Sequence, residues 1–254
     1  EVVQVPGVVV DGRWRHDLDA IDAAFAAGAS TLVLCNPHNP TGTVLPRDEL
    51  AAIADVVDRH GGRVFADEIH ADLRFDGAVH VPYASVSDAA ASHAITGTSA
   101  SKAFNVPGLK AAQLITSNDS DERRYGSFGF SVVHGASTLG VVAATAAYEG
   151  GAAWLAETVG YLEASRRALA DLVATHLPAA VHRSPEATYL AWIDVAALGL
   201  DDPTAFFRER AGVALTDGAL CGAGAEGHVR LVFATPRPIL EEAIAAMGAA
   251  VAAR

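Results

Sequence analysis

Apolar positions along the chain form short runs separated by stretches with helical spacing. Thr31–Cys35, Arg63–Asp67, Ala94–Gly97 and Ala111–Thr116 each read as a short strand. Val2–Val10 reads as an extended apolar segment. Leu18, Ile21 and Phe25 recur at helical spacing, with Gly28 as the expected stop. A second helix is predicted from Pro46 to His60, with Pro46 near its first position and Gly61 just past its end. Strands alternating with helices imply βαβ units, hence an α/β fold: a mainly parallel sheet with flanking helices. From Ser131 to about Ala174 helix dominates, and Gly150-Gly151 is the expected break. Beyond it Thr188–Ile193, Val213–Thr216 and Val229–Phe233 are strand-like, while Pro203–Arg210 and Ile239–Ala253 are helical. This changed mixture predicts a larger domain over 1–150 and a smaller C-terminal α+β domain over 151–254.

Composition narrows the possible functions. Of 254 residues, 51% are hydrophobic and 19% charged, which is the make-up of a folded globular chain. With 18 basic and 30 acidic residues, the net charge of −12 speaks against a nucleic-acid partner, because no basic stripe is available to neutralise phosphates. Two cysteines, Cys35 and Cys221, make no disulfide framework and suggest a reducing cytoplasm. The best candidate for a membrane span, Val132 to Tyr148, is interrupted by His134, Ser137 and Thr138. His70, His80 and His93 are too dispersed for a zinc site, so no metal is expected. The chain opens on Glu1-Val2-Val3, without a methionine and without a signal peptide.

Three polar clusters follow predicted strands: Asn36-Pro-His-Asn-Pro-Thr-Gly42, Asp67-Glu-Ile-His70 and Ser99-Ala-Ser-Lys102. Ligands of open α/β sheets bind outside the carboxyl ends of strands, so the clusters are expected to converge on one crevice. Taken by itself, each key residue also has a plain structural reading. Lys102 could be a surface lysine, Asp67 a helix cap, Asn39 a turn residue and Arg230 a partner in an ion pair.

Together with His228-Val-Arg-Leu-Val-Phe233, these clusters resemble the fold-type I enzymes that use pyridoxal 5'-phosphate (PLP), in the class I/II aminotransferase superfamily. Within it they are most similar to the cystathionine β-lyase-like carbon–sulfur lyases. The resemblance runs in order over essentially the whole chain. It implies that Lys102 carries the cofactor as a Schiff base and that Asp67 pairs with the pyridine nitrogen, keeping the ring an electron sink. It also implies that Asn39 donates to the ring hydroxyl and that Ser99 binds the phosphate. Lys110 stands where the superfamily often has a phosphate-binding arginine; a lysine is a point charge without the two-pronged fork, and a solvated lysine is the alternative. Arg230 would grip the substrate α-carboxylate, with Tyr189 nearby or simply a core aromatic. His70 marks the subgroup: aminotransferases usually have tyrosine three residues after the aspartate, and the lyases have histidine. Asn36, Pro37, His38 and Pro40 are read as scaffold.

The implied activity is β-elimination from cystathionine or another cysteine S-conjugate, in a homodimer acting on a small amino acid. The alternatives are an aminotransferase and a non-catalytic member of the fold. Family members carry an N-terminal region before the segment that matches Glu1, including a glycine-rich phosphate loop and an aromatic residue that stacks on the ring. The chain is therefore expected to be a fragment that binds the cofactor poorly. Two other patterns mislead. Gly222-Ala-Gly-Ala-Glu-Gly227 spells a dinucleotide motif but runs into a strand instead of opening a helix. Ser99-x-x-Lys102 lacks the partner motifs of penicillin-binding enzymes.

Overall fold

The computed structural model describes residues 1–254, apart from the side chain of Val133. An antiparallel pair, β1 (Val8–Val10) and β2 (Arg13–Arg15), opens the chain. Only the last third of the expected Val2–Val10 segment is a strand, because Gly12 at φ 72° turns the chain back into a β2 that offers only Arg13–Arg15 as partners. Helix α1 (Leu18–Ala26) is capped by Asp17, whose carboxylate accepts from the Ala20 N–H at 3.0 Å. Then come β3 (Thr31–Cys35), α2 (Arg47–Arg59), β4 (Arg63–Asp67), α3 (Asp88–His93) and β5 (Ala94–Thr98). These strands are parallel and adjacent in the order β3-β4-β5.

The four-residue α4 (Ala100–Ala103) leads to β6 (Gln113–Thr116), which runs antiparallel to β5 and corrects the expectation of a further parallel strand. The connection over 99–112 holds only α4 and a single 3-10 turn at Pro107–Leu109, so no crossover helix runs back along the sheet face to the amino-terminal edge. Next follow α5 (Asp119–Phe128), α6 (Phe130–Val133), α7 (Thr138–Gly150) and α8 (Ala152–His176). Helix therefore begins a dozen residues before Ser131. Asn118, accepting from the Asp121 N–H at 2.9 Å, followed by three acidic residues in the first turn, was the overlooked start signal. Gly151 separates α7 from α8, and a Cβ there would lie 2.5 Å from the Phe104 ring.

The remainder is β7 (Val181–His182), β8 (Leu190–Asp194), α9 (Pro203–Ala211), β9 (Thr216–Asp217), β10 (His228–Val232) and α10 (Arg237–Ala252). Their strands form a second, antiparallel sheet in the order β7-β8-β10-β9. The predicted strand Val213–Thr216 shrinks to Thr216–Asp217, because β10 pairs only with those two residues.

Two cores result. One packs α1, α2 and α3 on one face of the parallel sheet through Ile21, Leu34, Leu50, Ile53, Val64 and Ala94. The other packs α8, α9 and α10 on the antiparallel sheet through Leu169, Ile193, Phe207, Val229, Leu240 and Ile244. Leu73, Phe75 and Ala103 from the first half join the second core. There Phe75 N–H and Thr188 N–H bond to the carbonyls of Glu186 and Leu73 at 2.9 and 2.8 Å. The opposite face of the parallel sheet is open: Val33 is 68% and Phe65 36% exposed, although parallel strands are ordinarily covered on both faces.

Candidate active site

The carboxyl ends of β3, β4 and β5 lie level, with Cys35 opposite Asp67 and Asp67 opposite Gly97. At about 4.8 Å between strands, the three polar clusters leave the sheet side by side. The ladder continues one step past the strands. Asn36 N–H bonds to the Asp67 carbonyl at 3.0 Å, and Glu68 N–H to the Gly97 carbonyl at 2.9 Å.

Asp67 caps a turn rather than a helix, its Oδ1 accepting from the Ile69 N–H at 3.2 Å. Its Oδ2 meets no donor among the described residues. Lys102 sits in α4, half-buried, and its ammonium makes neither a hydrogen bond nor an ion pair among the described residues. Ser99 caps α4: its Oγ accepts from the Ser101 N–H at 3.0 Å and donates to the Ala111 carbonyl at 2.6 Å. The hydroxyl proton expected to meet a phosphate is thus held by protein. The same bond brings the neighbouring Lys110 backbone beside Ser99, with the Lys110 side chain exposed.

The antiparallel sheet supplies the second wall. Arg230, on β10, donates from one Nη to Asn39 Oδ1 at 3.0 Å and from the other to Thr216 Oγ1 at 3.2 Å. Its Nε is buried without a partner. Because the Asn39 oxygen faces the guanidinium, its amide nitrogen is left free to donate outward. His70 is buried, lies edge-on to Tyr189 with centroids 5.7 Å apart, and has a dry, unpartnered Nδ1. Burial, helped by the positive charges of Lys102 and Arg230, lowers its pKa to about 4. Those couplings put Lys102, His70 and Arg230 in one electrostatic neighbourhood, and burial raises the Tyr189 hydroxyl.

Sequence reasoning missed what holds this corner together. Arg13 forks onto Glu186, from Nε to Oε1 and from Nη2 to Oε2, both at 3.1 Å. Glu186 Oε2 also accepts from the Val44 N–H at 2.8 Å. Gly42, at φ 69°, touches the same loop so closely that a Cβ would fall 2.2 Å from Pro185 Cβ. No local motif announces the Arg13–Glu186 pair or Thr216, because their partners are distant in sequence.

The donor set fits a phosphorylated pyridine aldehyde at its ring end: a free amine, a free carboxylate oxygen for a ring N–H, and an outward amide donor. The phosphate end has Lys110 and the already engaged Ser99. Two half-open cavities, of about 740 and 380 Å³, are lined by neither Lys102 nor Asp67. The larger lies between the N-terminal strands and the antiparallel sheet, among Trp14, His38, Arg183, Trp192 and His228.

The sequence pattern of the family described as aminotransferase class I and II matches residues 2–247. The chain belongs to this family. Among its class I and II aminotransferase relatives is cystathionine beta-lyase from Corynebacterium glutamicum, 38% identical, with 91% of this chain and 62% of that protein covered. Cystathionine beta-lyase PatB from Bacillus subtilis is 34% identical, with 91% and 60% covered. The crystal structure of PLP-bound C-S lyase from Staphylococcus hominis superposes with a TM-score of 0.90 at 33% identity, covering 98% of this chain and 66% of that one. The chain therefore spans 60–66% of the length of these relatives. The fold is that of the fold-type I PLP enzymes, and pyridoxal 5'-phosphate is the cofactor indicated.

Proposed function

We propose that the protein is a PLP-dependent carbon–sulfur β-lyase, cleaving cystathionine or another cysteine S-conjugate with water to a thiol, pyruvate and ammonia. The observation that carries this reading is the 3.0 Å bond between Arg230 and Asn39, 191 residues apart. It joins a carboxylate-binding guanidinium to a ring-binding amide at the sheet end that bears Asp67. The lyase names of the relatives and the histidine at position 70 support elimination over transamination.

Bound PLP supplies an electron sink for the carbanion character that develops at Cα. Arg230 receives the substrate carboxylate, held in aim by Asn39 and Thr216. Lys102 would hold the cofactor through its ε-amine and, as a free amine, would act as the general base at Cα. Asp67 would keep a proton on the ring nitrogen, its Oδ2 being without a donor among the described residues. Asn39 would donate its amide to the ring hydroxyl. Ser99 and Lys110 would attend the phosphate. His70, neutral at physiological pH, and Tyr189 border the substrate side.

Residues 1–150 form the cofactor domain in this reading, and 151–254 the small domain. A homodimer in the cytoplasm is the working assembly. The exposed apolar side chains of Phe130, Leu139 and Val142 support the dimer. Among the described residues, no helix is long and apolar enough to cross a membrane.

Borohydride reduction with PLP followed by peptide mapping tests the site: label should sit on Lys102, and label on another lysine overturns the assignment. Product analysis tests the reaction. Equal pyruvate and thiol without a keto-acid acceptor supports the lyase, and an absolute need for an acceptor makes the protein an aminotransferase. Absence of any cofactor absorbance with added PLP in the full-length protein would leave a non-catalytic member of the fold.

A further inference from the structure

The turn over 36–42 carries Asn39, and the turn over 67–70 carries Asp67 and His70. A chain of buried hydrogen bonds joins them. Glu68 Oε1 accepts from the Tyr83 N–H at 2.8 Å, and Glu68 Oε2 faces His80 Nε2 at 3.0 Å. His80 Nδ1 lies 3.4 Å from Asn36 Nδ2, and Asn36 Oδ1 accepts from the Leu45 N–H at 3.0 Å. The side chains of His80 and Glu68 are 6% and 8% exposed.

The protons in this chain can be assigned. Leu45 N–H can only donate, so the Asn36 atom facing it is oxygen and the amide nitrogen turns to His80. That nitrogen also only donates, so Nδ1 accepts and Nε2 carries the ring proton to Glu68. A second proton, on Nδ1, would set donor against donor in a dry site. Beyond the strand ends, His80 is the only side-chain link between the two turns among the described residues.

We propose that His80, its Nε2 proton on Glu68 and its Nδ1 facing the Asn36 amide, is a positioning residue that sets Asn39 and Asp67 at the spacing the cofactor ring requires. This rests on the reading that Asn39 and Asp67 hold that ring. Asn36 lies three residues before Asn39 and Glu68 directly follows Asp67, so slippage between the turns moves both ring contacts. A misplacement of about 1 Å costs on the order of 10²-fold in such sites.

Two variants separate positioning from bulk stability. In His80→Phe both bonds go; His80→Gln keeps a donor for Glu68 and moves the acceptor away from the Nδ1 position that faces Asn36. Titration with PLP should show His80→Phe binding about tenfold or more weaker. The pH midpoint of the bound cofactor's visible absorbance should rise by about half to one unit in both variants, as Asn39's donation to the ring oxygen weakens. His80→Gln should melt nearer to wild type than His80→Phe. A folded His80→Phe with wild-type affinity and midpoint overturns the proposal. Nitrogen-15 NMR of histidine-labelled, cofactor-free wild type is an independent arm. A proton on Nε2 with none on Nδ1 of His80 supports the proposal, and a proton on Nδ1 overturns it. These titrations use the full-length protein, and full-length wild type that takes up no PLP overturns the parent reading of the site, and the positioning role with it.

Discussion

Replacing His38 with glutamine should remove a defined part of the protein's sensitivity to mild acid. His38 lies flat against Trp14, with ring centroids 3.8 Å apart and planes 9° apart. Its Nδ1 meets Thr41 Oγ1 at 2.8 Å, and His16 approaches edge-on. Burial first, and then the neighbouring His16, lower its pKa to about 3. The folded state therefore resists a proton that the unfolded chain accepts at the ordinary imidazole value near 6.5. The stabilisation is fully present above that value and is lost progressively as pH falls toward 3. At pH 5, about one and a half units below the ordinary value, the loss from this one group is about 2 kcal/mol. Urea unfolding of wild type and His38→Gln at pH 7.5 and pH 5 measures it. The variant will start lower at pH 7.5, because stacking on Trp14 is reduced. Its further loss on acidification should nonetheless be about 2 kcal/mol smaller than that of wild type. His16, whose pKa burial lowers to about 4, remains in both proteins and keeps part of the acid response. Equal losses in the two proteins would refute the assignment of a buried neutral imidazole at position 38.

Other perturbations follow from the packing. Gly42→Ala combines a left-handed backbone with a Cβ 2.2 Å from Pro185 Cβ and 2.8 Å from the Ala187 carbonyl; urea unfolding should show a loss of at least about 2 kcal/mol, and a neutral result would mean the two loops are not in contact. Ile53→Ala empties a fully buried site in the first core and should cost about 2–5 kcal/mol by the same assay, with the far core unaffected. Arg230→Lys removes the two-bond fork and should raise KM for the amino-acid substrate roughly ten- to a hundredfold with a smaller change in kcat; an unchanged KM removes Arg230 from the carboxylate role.

The order of residues alone determined the features that local chemistry controls. Short apolar runs made β3, β4, β5, β8 and β10 strands, and proline and glycine punctuated the helices between them. The same local spacing placed Asn39, Asp67 and Lys102 just after three strands, where the parallel ladder then sets them side by side. Tertiary structure decided everything that depends on which distant atoms meet. It turned β6 antiparallel, since the connection from β5 carries no crossover helix along the sheet. It gave the Ser99 hydroxyl to the Ala111 carbonyl, joined Arg230 to Asn39, and hid Glu68 and His80 between two turns. A polar side chain's partner is set by register and loop packing, and neither is encoded within the few residues that determine a strand or a turn.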